Sequence, residues 1–216
     1  MASNAALQWK SGRGWLIFSG GNTYGSPIRA EALARLKPSG HVAYISFAPD
    51  EGDTLMDDME DLGAPSGYLV EVEGRTDDEV INDLKDASLV VLESSDDLEP
   101  MLEGLSQAVI NGLEEAFQNG AVILIEGLGI NLFGRWIMTD GGELIDGLNW
   151  VENGFLEPNE GGAEASYAIQ AVVNDIPQSI AVSISPGSAL ALGFGGILQV
   201  LGQAHVTITV GSAYES

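Results

Sequence analysis

Five short, nearly uninterrupted apolar runs mark the first part of the chain: Trp15 to Ser19, His41 to Phe47, Tyr68 to Val72, Ser88 to Glu93 and Ala121 to Glu126. Runs of this length without polar alternation predict strands buried on both faces, as in a parallel sheet. Helix-period segments lie between them. Ser26 followed by Pro27, Glu31, Leu33 and Leu36 predicts a capped helix with a first-turn proline that ends before Gly40. Thr76 with Glu79 forms a capping box ahead of Val80, Ile81 and Leu84. Asp97 to Gln118 predicts one long helix, with Met101, Leu102, Leu105, Val109, Leu113 and Phe117 at three- and four-residue spacing. After Gly141 the apolar strips shorten: Ile180 to Ile184, Ala189 to Leu192, Ile197 to Leu201 and Val206 to Val210 are separated by Gly and Pro and predict added antiparallel strands.

The chain has 216 residues, 45% of them hydrophobic, which is enough to bury a sizeable core and excludes a disordered or collagen-like chain. One domain over 1–216, with 1–13 as an N-terminal extension, is the expected organisation. No apolar run reaches membrane-helix length and the start has no secretory pattern, so no membrane contact is expected and the expected location is cytoplasmic. The absence of cysteine removes thiol nucleophiles, thiolate metal sites and disulfides. Eight basic against 32 acidic residues give a net charge of −24, which argues against nucleic acid as a partner. Residues 1–40 hold Lys10, Arg13, Arg29, Arg35 and Lys37 against Glu31 alone, so the acid lies in the remainder. No charged residue falls between Asp175 and Glu215; core packing is the favoured explanation, with a subunit contact, for instance a homodimer, as the alternative.

In an open α/β sheet, ligands bind beyond the carboxyl ends of the strands. The loops to inspect are therefore Gly20-Gly21-Asn22, Ala48-Pro49-Asp50, Ser94-Ser95-Asp96-Asp97, Glu126-Gly127-Leu128-Gly129 and the turn at Asn153-Gly154. Gly120 to Ile130 has the frame of a nucleophile elbow, a buried strand turning sharply at glycines, without a nucleophile. Glu126, a carboxylate at a buried strand end, must find partners or have a raised pKa, with a salt bridge or hydrogen bonds to loop amides favoured over an acid/base or ligand-orienting role. Asp50, Glu51, Asp53, Asp57, Asp58, Glu60 and Asp61 fit no EF-hand spacing and are read as a solvated helix face, so no metal is assigned. Ser94 to Asp97 is read as a helix cap. Phe133, Trp136, Trp150 and Phe155 are read as plugging a former pocket.

These pieces, in order, resemble the dipeptidase E and cyanophycinase family of serine peptidases, of the class I glutamine amidotransferase-like fold. Leu16 to Asn22 is similar to that family's first strand and glycine turn, and Val91 to Asp97 to its strand running into Gly-Gly-Asp/Asn-Gln. Gly120 to Ile130 stands in the place of its Gly-Thr-Ser-Ala-Gly-Ala elbow, and Glu152 to Phe155 in that of Asp-Gln-His-Phe. Ile184 to Leu190 matches Ile-Asp-Glu-x-Thr-Ala-Leu, and Gly196 to Gly202 with His205 to Ile208 resembles a closing β-hairpin.

The resemblance implies a three-layer α/β sandwich with a mainly parallel, flavodoxin-like sheet and a C-terminal antiparallel extension. The family's chemistry does not carry over. Gly127 falls at the nucleophile, Gly154 at the histidine and Ser185-Pro186 at the late Asp-Glu pair, while Glu143 and Asp146 are the nearest acids after the elbow. His41 and His205, the two histidines of the chain, are read as structural. The expectation is a non-catalytic pseudoenzyme that binds a small molecule or peptide, or another protein, without a cofactor. Its candidate pocket residues are Asn22, Ser94, Ser95, Asp96, Glu126, Gly127, Leu128 and Gly154. The alternative is a serine hydrolase of acidic dipeptides or aspartate-rich polymer, with Ser94 or Ser95 as relocated nucleophile.

Overall fold

The computed structural model describes residues 7–37, 40–47, 52–93, 95, 97–162, 164, 166–202 and 205–214. Ser94, Asp96 and the loop Ala48-Pro49-Asp50 lie outside the described residues. The alternation of strand and helix read from the sequence is present: β1 (Trp15–Ser19), α1 (Pro27–Leu33), β2 (Val42–Ile45), α2 (Gly52–Asp61), β3 (Gly67–Leu69), α3 (Asp77–Lys85), β4 (Leu89–Leu92), α4 (Leu98–Gly104), α5 (Gln107–Gln118) and β5 (Val122–Glu126). A 3-10 helix at Gly127–Phe133 follows, then β6 (Trp136–Met138), β7 (Leu144–Asp146), β8 (Gly154–Pro158), α6 (Tyr167–Asp175), β9 (Ile180–Ile184), β10 (Ser188–Gly193), β11 (Ile197–Gly202) and β12 (Val206–Val210).

The central sheet has the order β11-β10-β1-β5-β4-β2-β3. Its five strands from β1 to β3 are parallel, and β10 and β11 are added antiparallel. Alternate residues of each strand enter two separate cores, because successive side chains of a strand point to opposite faces. Ile17, Val42, Tyr44, Val91 and Leu124 pack under Ile28 and Ala32 of α1 and Leu55 and Met59 of α2. Leu16, Phe18, Ile45, Leu92 and Ile125 pack against Val80, Leu84, Val109, Leu113 and Phe117 from α3 and α5. The three-layer α/β sandwich with a mainly parallel sheet is therefore what the chain adopts. Among the described residues no helix is long and apolar enough to cross a membrane.

Three expectations are corrected. The segment Asp97 to Gln118 is two helices: α4 ends at Gly104, and Ser106 caps α5 by accepting a hydrogen bond from the Val109 amide at 3.3 Å. The apolar spacing continues through the break because both helices pack on the same face, so periodicity alone does not reveal it. The last two strips form no hairpin: β11 pairs with β10 in the central sheet, whereas β12 pairs with β9 in a second sheet of order β12-β9-β8. In that second sheet β8 and β9 run parallel. The uncharged run accordingly splits, with β9 and β10 buried and β11 largely exposed. Nor do the four aromatics form one plug. Trp150 meets Phe133 edge-on, with ring centres 5.2 Å apart, in the main core, while Phe155 lies in a small core under α6 with Trp136 at its margin.

The packing of α3 on α5 in the main core depends on a missing side chain. A Cβ at Gly112 on α5 would stand 2.8 Å from Leu84 Cβ and 3.3 Å from Ile81 Cα on α3. Gly112→Val is expected to destabilise the fold by about 2 kcal/mol through overpacking, read as a lower urea midpoint at unchanged slope.

Candidate functional site

The connections after β1 and β5 leave toward opposite faces of the sheet, α1 toward one core and the 3-10 helix toward the other. A crevice opens at the carboxyl ends of such neighbouring strands. Here the parallel register sets Ser19 beside Glu126 at that edge. Glu126 is 3% exposed, and it is not left alone. Arg29, from the middle of α1, donates to it twice, Nε to Oε1 at 2.9 Å and Nη2 to Oε2 at 2.6 Å. Asn22 adds an amide hydrogen bond to Oε1 at 2.6 Å. The expected salt bridge at Glu126 is thus present and bidentate, the strongest geometry available to a carboxylate.

The same guanidinium reaches a second carboxylate. Its Nη1 lies 2.5 Å from Asp58 Oδ2, and Asp58 also accepts from the Gly25 amide at 2.6 Å. Asp58 is wholly buried, which corrects its reading as part of a solvated helix face. Burial by itself lowers the Arg29 pKa; the hydrogen bonds and charge of Glu126 and Asp58 outweigh this and raise it, so the guanidinium stays charged. Ser26 and Ser19 donate to Asn22 Oδ1 at 2.8 and 3.1 Å, so the amide that orients Glu126 is itself held. On the outer side of the same loop, the Tyr24 phenol hydrogen-bonds Asp61 and its pKa is pushed up to about 12, first by that bond and then by burial and neighbouring acid.

Immediately beyond Glu126, Gly127 has φ 53, the left-handed conformation of a sharp strand-to-helix turn. The elbow backbone is present, and the side chain that would do chemistry from it is not. Leu128 follows within the 3-10 helix. Across the sheet, Ser46 at the end of β2 donates to Glu93 at the end of β4 at 2.6 Å. Ser95 lies beyond β4 and accepts from the Asp97 amide at 3.3 Å, a local turn that leads into α4.

Gly154 does not join this group. It begins β8 instead of following a strand, and Glu152, two residues earlier, lines a cavity with Arg13, Gln118 and Gly193 to Gly196 where β1 and β5 start. A Cβ at Gly154 would stand 2.7 Å from Val151 Cγ1 and 2.9 Å from the Val151 carbonyl oxygen, so the position is closed to a side chain. Asn159 comes directly after the carboxyl end of β8. Its amide donates to the Ile184 carbonyl and its carbonyl accepts from Ser185 Oγ. Gly187 then bonds back to Gly21, which brings this corner to the β1 loop. The strand-end position of Asn159 is not legible in the sequence, because no local pattern marks where a five-residue strand starts.

His41 precedes β2, at the far end of the sheet, with its Nε2 2.9 Å from the Tyr68 hydroxyl. His205 is on the strand-end side: its amide donates to Ser188 Oγ and its carbonyl accepts from Ser185. Beside the crevice, a cavity of about 560 Å3 runs between α4 and the β6-β7 hairpin. It is lined by Asp97, Glu99, Glu103 and Asp140 together with apolar Leu102, Ile137 and Ile145. Among the described residues no group of His, Asp and Glu is arranged to hold a metal ion.

Two solved structures share the overall fold. One is a peptidase from an acI-B1 Actinobacterium, with a TM-score of 0.71 and 17% identity over 92% of this chain and 95% of that one. The other is a Listeria monocytogenes EGD-e protein assigned to peptidase E, with a TM-score of 0.66 and 14% identity over 88% of this chain and 99% of that one. The chain has the peptidase E fold. No protein-family model and no curated protein matches the sequence.

Removing the cation from the crevice leaves two buried carboxylates facing each other. Arg29→Met is expected to cost about 3–5 kcal/mol in urea unfolding, as for other buried pairs broken on one side. Replacing all three charges together (Arg29→Met, Glu126→Gln, Asp58→Asn) is expected to recover a large part of that loss. A triple variant as unstable as Arg29→Met would contradict the pairing account.

Proposed function

We propose that the protein is a non-catalytic relative of the serine peptidases whose fold it shares, using the strand-end side of its sheet to bind a small molecule or peptide. The observation that carries this reading is the elbow itself. Nucleophilic catalysis there requires a hydroxyl or thiol on the turn and a base in hydrogen-bond reach. Gly127 supplies neither, and the carboxylate just before it is engaged at both oxygens by Arg29 and Asn22. Asn159, directly after β8, carries an amide that does not titrate. Ser185, near His205, spends its hydroxyl on the Asn159 carbonyl, and Ser188 accepts from the His205 backbone.

The charge of the molecule narrows the ligand. A net charge of −24, with four carboxylates around the cavity beside α4, repels acidic dipeptides and aspartate-rich polymer. An uncharged or cationic ligand with an apolar part fits that lining, since Leu102 and Ile145 are exposed in it.

The test is labelling with a fluorophosphonate serine-hydrolase probe, mapped by mass spectrometry beside an active serine peptidase of the same fold. No label is expected on the protein or on Gly127→Ser, which adds a hydroxyl at a cost of about 1–2 kcal/mol in backbone strain but brings no base. Stoichiometric labelling at one serine, lost on unfolding, would overturn the reading and name the nucleophile.

A further inference from the structure

The two edges of the central sheet are treated differently. At one end β3 is only three residues long, a short edge that offers little to pair with. At the other end β11 has six residues, Ile197–Gly202, bonded to β10 on one side and, among the described residues, to no strand on the other. Its sequence, Ile-Leu-Gln-Val-Leu-Gly, contains no proline and no charge. Ile197, Leu198 and Val200 are 47%, 42% and 53% exposed, and Phe194 in the preceding turn is 67% exposed. Long, flat, apolar edges are what soluble proteins avoid by shortening, charging or covering them. This edge is neither short nor charged, and it exposes apolar side chains on both faces of the sheet, Ile197 on one and Leu198 and Val200 on the other.

We propose that β11 is a homodimer interface, in which two copies join their central sheets edge to edge by antiparallel β11-β11 pairing about a two-fold axis. Charge selects the occupant. With a net charge of −24, two copies meeting on most other faces bring carboxylate against carboxylate. The stretch from Ile176 to Tyr214 carries no Asp, Glu, Lys or Arg, and it supplies this edge, so here a second copy meets little like charge. The nearby charge on the α1 side is Arg35, which donates to Gln199 Oε1 at 2.9 Å and pairs with Glu31. Antiparallel pairing of identical strands is also self-complementary: each open amide of one copy meets an open carbonyl of the other, and the contact closes at two subunits. A basic partner would gain more from the acidic faces than from this one. The interface is independent of the non-catalytic reading above, because it lies on the sheet edge and not at the strand ends.

The experiment is sedimentation equilibrium of the full chain across a concentration series, combined with hydrogen exchange of the β11 amides. A mass twice the 22.7 kDa of the chain is expected, with dimerisation strengthened as salt screens the shared negative charge. Exchange over Ile197–Gly202 is expected to speed up on dilution into the monomer range. Val200→Lys and, separately, Leu198→Glu are expected to weaken association at least tenfold while circular dichroism stays unchanged. A monomer at every concentration would overturn the proposal. So would a dimer whose β11 amides exchange freely, a reading that needs no variant, or one indifferent to both substitutions.

Discussion

The guanidinium of Arg29 holds the strand-end side of this molecule together. It is buried on α1 and binds one carboxylate from the last parallel strand, Glu126, and one from α2, Asp58. Three elements that already share one apolar core are thereby tied together at its strand-end edge around a single cation. Charges taken out of water must be fully compensated, and here the Gly25 amide and the Asn22 side chain complete the set. Such an arrangement contributes little net stability compared with a well-packed apolar core, yet it enforces one geometry, because any displacement leaves a buried charge unpaired.

That constraint has a chemical consequence. In a peptidase of this fold, the turn after the elbow strand must present a side chain to solvent and substrate. Here the elbow keeps its left-handed backbone at Gly127, while the polar side chain beside it is turned into the α1-α2 face and consumed there. The carboxylate that looks reactive in the sequence is a structural ligand of an arginine. What remains open lies next to the crevice, in the acidic and apolar cavity between α4 and the β6-β7 hairpin, and on the uncharged sheet edge.

The strong negative charge has a geometry as well as a magnitude. Acid is spread over α2, α3, α4 and the hairpin, while β9 to β12 carry none. Self-repulsion over most of the surface keeps copies apart and leaves the uncharged sector free for contact. The same segregation bears on the six-residue apolar edge: like charge on the surrounding faces opposes disordered stacking, and the two-fold pairing we propose would use up both edges.

The sequence by itself determined the three-layer fold, because uninterrupted apolar strands separated by capped amphipathic helices have few other ways to bury both sheet faces. It also determined what the elbow lacks, since Gly127 has no side chain in any fold. The need for a partner at Glu126 was legible too, because a carboxylate in the run Val122–Glu126 cannot stay solvated. Tertiary structure decided the partner's identity. Arg29 and Glu126 are 97 residues apart, and nothing local distinguishes Arg29 from Arg35, or Asp58 from the acids around it. It also decided that Gly154 starts a strand while Asn159 follows its last residue, and that β11 and β12 belong to different sheets. Periodicity reports which face a residue turns inward; which chain segment comes to lie against that face is set by packing between segments distant in sequence.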